Sequence, residues 1–263
     1  MQAMNKRPSG RLQCALGGLA ALLLPLAAPA QSWPQKATRI IIPFDAGGGT
    51  DIQGRLLARK MQESTGQPAV VENRPGAGGM IGAEVVARAP ADGHIQLFTS
   101  GSLAVNVSLF PKLSFDPVKD LAPVSKVSSS AMVLLLHPSV PVTSVKELVA
   151  YAKANPGKLN VASAGVGTGT HLAIELFKLM SGVELTHVPY KGSNRALSST
   201  LSGETNLFFA TFVSGRPLAE SGKVRALGVT SLRRAAAFPD VPTIESVIPG
   251  YESESWYGMF VPS

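Results

Sequence analysis

The sequence predicts an α/β fold built from two alike halves, and two observations carry that expectation. Short β-branched runs alternate with helical patterns, the signature of βαβ units and parallel sheets. Two glycine–threonine loops then recur about 120 residues apart, each wedged between an apolar run and an amphipathic stretch. Strand, glycine loop and helix in that order aim bare backbone N–H groups and a positive helix end at an anion.

The N-terminus is set aside first. Lys6, Arg7 and Arg11 precede an apolar stretch from Leu12 to Leu26, and Ala28-Pro29-Ala30 supplies an A-x-A cleavage signal. Residues 1–30 therefore read as a signal peptide, with Gln31 the first mature residue. The stretch is short and interrupted by Gly17, Gly18 and Pro25, unlike a spanning helix. Cys14 lies inside this leader, not at the cleavage point, so no lipid anchor is expected. Removing 30 of 263 residues leaves 233 and takes the sole cysteine, so the mature chain has no disulfide and no thiolate site. Its net charge drops from +7 to +4 with the loss of three cations. The remaining basic residues are scattered, with no run interleaved with aromatics, which argues against nucleic-acid binding.

Strands are expected at Arg39–Pro43, Ala69–Glu72 and Ile95–Thr99 in the first half. Asp51 is placed as the N-cap of a helix that buries Ile52, Leu56, Leu57 and Met61 and closes at Gly66. A further glycine loop, Gly76-Ala77-Gly78-Gly79, opens a helix through Ile81, Val85 and Val86. The second half starts at the buried run Ala131–Leu136. Ser144 and Glu147 form a capping box for a helix ending at Asn155-Pro156-Gly157. Strands follow at Leu159–Ser163, Glu184–Val188, Asn206–Phe209, Ala226–Val229 and Tyr257–Val261. Helices are expected at Thr170–Met180, Ser193–Leu201 and Ser214–Glu220.

In open α/β sheets ligands sit beyond the carboxyl ends of the strands, where both glycine loops lie. If the two sheets face each other across a hinge, the loops line one crevice, joined by hydroxyls such as Thr99, Ser100, Ser102, Thr211 and Ser214. Each charge-assisted hydrogen bond to an anion is worth ~1.5–3 kcal/mol, so converging donors could hold a carboxylate without a buried arginine. A Walker-A loop is excluded because no Gly-Lys-Ser/Thr follows the glycines. A dinucleotide fingerprint fails at its third glycine, where Ile52 stands. His94, His137, His171 and His187 are dispersed, so no metal site is expected. No nucleophile elbow or triad can be drawn, and no catalytic residue is assigned. Lys191 reads either as a balance to ligand charge or as a solvated loop lysine.

With these loops in place, the chain resembles the periplasmic solute receptors of tripartite tricarboxylate transporters, the Bug family. The resemblance rests on Ile42-Pro43-Phe44-x-x-Gly47-Gly48-Gly49-Thr50-Asp51, on Val71 to Gly79, and on Ala164-Gly165-x-Gly167-Thr168-x-x-His171-Leu172. His187 to Gly192, Phe238 to Thr243 and Trp256-Tyr257-Gly258 continue it. It implies a two-lobe type II periplasmic binding-protein fold, each lobe a mostly parallel sheet flanked by helices. Residues 31–130 plus 252–263 would form lobe 1, and 131–251 lobe 2. Carried over by position, the ligand contacts are Phe44, Ala46, Gly47, Gly48 and Asp51 in the first loop, and Thr168, Gly169, Thr170 and His171 in the second. Ser100, Asn106, Tyr190 and Thr211 are expected beside them.

The resemblance further implies a monomeric, periplasmic, non-enzymatic receptor without cofactor. It would deliver a small organic carboxylate to two integral membrane subunits. A ligand-sensing receptor would use the same pocket, whereas an enzyme would need a nucleophile–base pair or cofactor motif. Two departures bear on this transfer. Many relatives carry an aspartate where this chain reads Ala210-Thr211, which favours a plain carboxylate over an amino acid. Relatives also continue past the position of Ser263, so a shortened chain with exposed apolar surface on lobe 1 is expected.

Overall fold

The computed structural model describes residues 33–263; the signal peptide expected at residues 1–30 lies outside them. Among the described residues, all helices and strands fall in residues 36–263. The first half contains β1 (Thr38–Ile42), α1 (Gly49–Thr65), β2 (Ala69–Asn73), a short 3₁₀ turn (Ala77–Gly79), α2 (Met80–Ala87), β3 (Ile95–Ser100) and α3 (Ser102–Leu109). β2 and β3 flank β1 in parallel. A long strand, β4 (Leu121–Leu136), leads into the second half: α4 (Val145–Ala154), β5 (Asn160–Ser163), α5 (Gly169–Ser181), β6 (Thr186–Pro189), α6 (Ser193–Ser202), β7 (Leu207–Thr211), α7 (Phe212–Glu220) and β8 (Arg225–Val229). Here β6 and β7 flank β5 in parallel.

β4 and the last strand, β9 (Glu254–Pro262), join the two parallel blocks. Leu121–Ala131 of β4 pairs antiparallel with β9, which pairs antiparallel with β3. From Met132 onward the same strand pairs antiparallel with β7 and β8. Among the described residues, four of the eight strand pairings are thus antiparallel, all of them made by the two strands that run between the parallel blocks. The buried clusters respect the same division. Ile40, Ile41, Ile42, Leu97, Phe98 and Tyr257 belong to one side. Phe177, Phe208, Phe209 and Tyr251 belong to the other. This is the two-lobe α/β architecture, with its sheet curled so that each lobe keeps its own core.

Several local expectations need correction. Asp51 is not the N-cap of α1; Gly48 is, and Asp51 lies in the first turn. Ile52 and Leu56 are not buried but 40% and 51% exposed. The helix turns its small residues, Gly54 and Ala58, to the sheet instead. A Cβ on Gly54 would collide with the Ile42 side chain, so the close helix–strand contact selects glycine there. Along α2, Val86 is buried, but Ile81 and Val85 are 50% and 39% exposed. Val70, Val107, Leu109, Val118, Val124 and Val127 of the same lobe also expose apolar surface. The Ser144 cap forms as expected, its side chain accepting from Glu147 N at 3.2 Å.

Candidate functional site

The first loop leaves β1 and reaches α1 through Gly47, whose φ of +79° suits only glycine in practice. The Gly47 N–H donates to Asp51 Oδ2 at 2.9 Å, four residues on. Asp51 is 3% exposed and also accepts from Arg55 Nε at 2.8 Å and from Asn73 Nδ2 at 2.9 Å. Asn73 ties the same knot to the Phe44 carbonyl at 3.0 Å. Burial works to raise the Asp51 carboxyl, but the hydrogen bonds from Arg55, Gly47 and Asn73 outweigh it and hold it below the usual value.

The second loop repeats this construction residue for residue. Gly167 has φ +75°, and its N–H donates to His171 Nδ1 at 3.2 Å, again four residues on. The N-caps match too: Gly48 at φ −81°, ψ 170° and Thr168 at φ −78°, ψ 160°. Thr168 Oγ1 donates to Gly165 O at 2.6 Å and accepts from His171 N at 3.4 Å, while Thr170 Oγ1 accepts from Ala164 N at 2.9 Å. Gly47, Gly49, Thr50 and Asp51 thus correspond to Gly167, Gly169, Thr170 and His171. Beneath the loop the His171 ring stacks on His187 with centroids 4.3 Å apart. His187 Nε2 lies 2.6 Å from Ser163 Oγ, which accepts the Gly165 N–H at 3.1 Å. Burial, chiefly, pulls both imidazoles below their ordinary value, His187 to about 4.

The two halves meet at these loops. A Cβ on Gly49 would strike Thr211 Oγ1 at the end of β7, and one on Gly169 would strike Ser255 Oγ of β9. The Asp45 N–H donates to Lys191 O at 3.2 Å, and Arg195 Nε lies 2.6 Å from Asp45 Oδ2 as an ion pair, without hydrogen-bond alignment. On the other side Asn106 Nδ2 donates to Gly78 O at 2.9 Å, and its Oδ1 presses on Gly167.

Between them lies a cavity of about 20 Å³ lined by Phe44, Ala164 and Gly169 together with hydroxyl-bearing Thr50, Ser100, Thr168, Thr170, Ser193, Thr211, Ser255 and Tyr257. That is room for one or two water-sized groups, such as the two oxygens of a carboxylate. Four helices begin at this wall: α1 at Thr50, α5 at Gly169 and Thr170, α6 at Ser193, and α7, capped by Thr211. Their N-terminal ends bring positive potential with no ionised acid in the lining. Burial pushes the Tyr257 phenol up, against hydrogen bonds from Ser255, Thr50 and Gln53, so it stays protonated. Phe44 and Ala164 also border a second chamber of about 200 Å³, walled by the Gly76–Gly79 turn, Phe110, Val166, Tyr190 and Lys191. A larger depression of about 680 Å³ lies between α1 and β2, but it touches neither glycine loop and its polar lining consists of side chains from the exposed face of α1.

Of the residues expected to contact ligand, Phe44, Ser100, Thr168, Gly169, Thr170 and Thr211 line the hydroxyl cavity, and Tyr190 lines the adjoining chamber. Gly47 and Gly48 shape the first loop, Gly48 lying against Ser193 and Asn194, and Ala46 is exposed outside the cavity. The Asp51 and His171 side chains are turned to their own loops, and Asn106, fully buried, bridges Gly78 and Gly167. Ser193, Ser255 and Tyr257 were not anticipated. Thr50 belongs to the first glycine–threonine loop, expected to cradle an anion, and stands there where Thr170 stands in the second. Among the described residues no group of acidic, histidine or cysteine side chains is placed to hold a metal ion.

The chain and its fold have counterparts in known proteins. Residues 54–263 match the model of the family described as tripartite tricarboxylate transporter family receptor. Protein BugT of Bordetella pertussis is 38% identical over 242 residues, covering 90% of this chain and 74% of that one. A protein of R. palustris solved with adipate superposes with TM-score 0.85 at 37% identity, covering 88% of this chain and 78% of the other. MatC from Rhodopseudomonas palustris, with bound malate, gives 0.82 at 33% identity, covering 88% and 79%.

Proposed function

This chain belongs to the tripartite tricarboxylate transporter receptors, and on that premise we propose that it captures a small organic carboxylate in the periplasm and delivers it to two integral membrane subunits. A single observation carries the reading: four helix N-termini and eight hydroxyl-bearing side chains surround a space large enough for one carboxylate, with no acid to oppose it. The adjoining chamber would take the rest of the ligand. Adipate and malate in the two related structures support the ligand class. Ala210-Thr211 in place of an aspartate favours a carboxylate without an amino group.

The protein works as a monomer without cofactor and without catalysis; binding energy is used to hold the two halves together. Ligand would stabilise the closed form by the difference in its affinity for the two forms. Titration calorimetry against mono-, di- and tricarboxylates tests this directly. Saturable binding of at least one, with heat lost on mutating Thr168 and Thr170, is the expected result. A folded protein that binds no member of the panel would refute the ligand class.

A further inference from the structure

We infer that His171 is a positioning residue whose unprotonated Nδ1 holds the Gly167 N–H and so keeps the second loop in its binding shape, making ligand capture proton-linked through this loop and not through the first. The inference rests on the carboxylate reading above for its ligand but on the loop geometry for its argument.

The two loops solve one problem with different chemistry. Each must hold the N–H of a glycine with positive φ, and each uses the side chain four residues on. In the first loop that acceptor is a carboxylate kept ionised by its partners. In the second it is an imidazole, which accepts only while Nδ1 lacks a proton. Protonation would set an N–H against the Gly167 N–H and turn an attraction into a repulsion. The ring has little freedom to avoid this, because it is stacked on His187, which is tied through Ser163 to the Gly165 N–H. Two N–H groups of one loop therefore hang on two stacked imidazoles.

The charges that bear on the pair come from few places. Glu175, one turn along α5 with Oε1 3.9 Å from His171 Nε2, favours a proton on the pair. Lys178 on the next turn opposes it, and it is itself held by Glu175 at 2.9 Å. From β6, His187 faces the ring directly, and β5 contributes only the Ser163 hydroxyl. Burial opposes a proton on either ring.

The test follows the loop with and without ligand. In the free protein, the Gly167 amide and the His171 ring nitrogens should titrate together by NMR, with the Gly47 amide unmoved. Adipate binding is then compared in the wild type, in His171→Asn, which keeps an acceptor that does not titrate, and in His171→Phe, which keeps only the ring. From about pH 7.5 to about pH 5, wild-type affinity should fall about threefold or more beyond that of His171→Asn. The ligand's own protonation cancels in that comparison. His171→Phe should bind weakly at both ends of the range. A Gly167 amide that ignores the His171 titration would overturn the inference, as would parallel pH profiles for wild type and His171→Asn. Absence of adipate binding at every pH would count against the ligand class and leave the NMR titration to decide the loop.

Discussion

Asp51 and His171 occupy the same place in two copies of one loop: each accepts the N–H of a left-handed glycine four residues earlier, at 2.9 Å and 3.2 Å. The equivalence extends to what the loops touch. The first helix residue of each, Gly49 and Gly169, abuts a hydroxyl from the opposite half, Thr211 and Ser255. The proposed binding site thus has a two-fold pattern in backbone and approach, but different chemistry in the side chain that holds each loop.

Replacing Asp51 should disable the first jaw without unfolding the protein. Asp51→Ala leaves three donors, from Gly47, Arg55 and Asn73, without their acceptor. Unmade hydrogen bonds at a buried site cost about 1–3 kcal/mol, and Arg55, half exposed, can return to water. A loss of about 2 kcal/mol in chemical denaturation is expected, together with weaker carboxylate binding. Asp51→Asn keeps one acceptor and should lie between.

Closure should depend on the two helix-start glycines. Gly49→Ala would set a methyl against Thr211 Oγ1, with Thr211 Cγ2 and Cβ close behind at 3.3 Å and 3.4 Å, so the threonine has no retreat. At Gly169 the obstacle is the Ser255 hydroxyl with its Cβ 3.6 Å away, and a rotamer change can relieve it. Gly49→Ala should therefore weaken carboxylate binding by about tenfold or more, a barrier of ~1.4 kcal/mol, and Gly169→Ala by less. Small-angle scattering with saturating ligand reads the failure to close.

Much of this fold was legible in the chain, for identifiable reasons. Ile40–Ile42 and Leu134–Leu136 are β-branched or apolar runs buried on both faces, and the Ser144–Glu147 cap is local chemistry. The first ten residues of β4 escaped because Leu121–Ser130 mixes serines with exposed valines and shows no apolar alternation, and its pairing partner β9 lies more than 120 residues away. α3 escaped too, since its burial is set by its neighbours and no apolar stripe marks it. On α1 Leu57 and Met61 pack against the core as expected, but Ile52 and Leu56 face outward, because the sheet approaches so closely at Gly54 and Ala58 that only small residues fit there. At the site, the loops announced themselves through glycine spacing. Ser193 and Ser255 did not, because single serines acquire their role only when the other half of the molecule arrives.

The Asp45–Arg195 pair should tune closure weakly and with salt dependence. Arg195 of α6 is 65% exposed and reaches Asp45 of the first loop. Pairs between exposed groups contribute about 0.2–1 kcal/mol and are screened by salt, and the sheltered Asp45 carboxylate, 14% exposed, puts this pair toward the upper end of that range. Arg195→Ala should therefore weaken ligand binding by less than about fivefold. The difference from wild type should shrink as salt is raised, which calorimetry at two ionic strengths can resolve.

Acid should destabilise the second half through His187. Its folded value is pushed down to about 4 from an unfolded 6.5, mainly by burial and then by the neighbouring His171. Above pH 6.5 both states are neutral at this ring and the folded form keeps its full stability. Below that, the unfolded chain takes up a proton that the folded ring refuses, so stability falls as pH drops, until near pH 4 the folded ring also protonates and the loss levels off. His187→Gln retains a group able to hydrogen-bond Ser163 but has no proton to gain in this window. Its melting temperature should change less than that of the wild type between these limits, and curves that stay parallel would show that the ring carries a proton readily in the folded state.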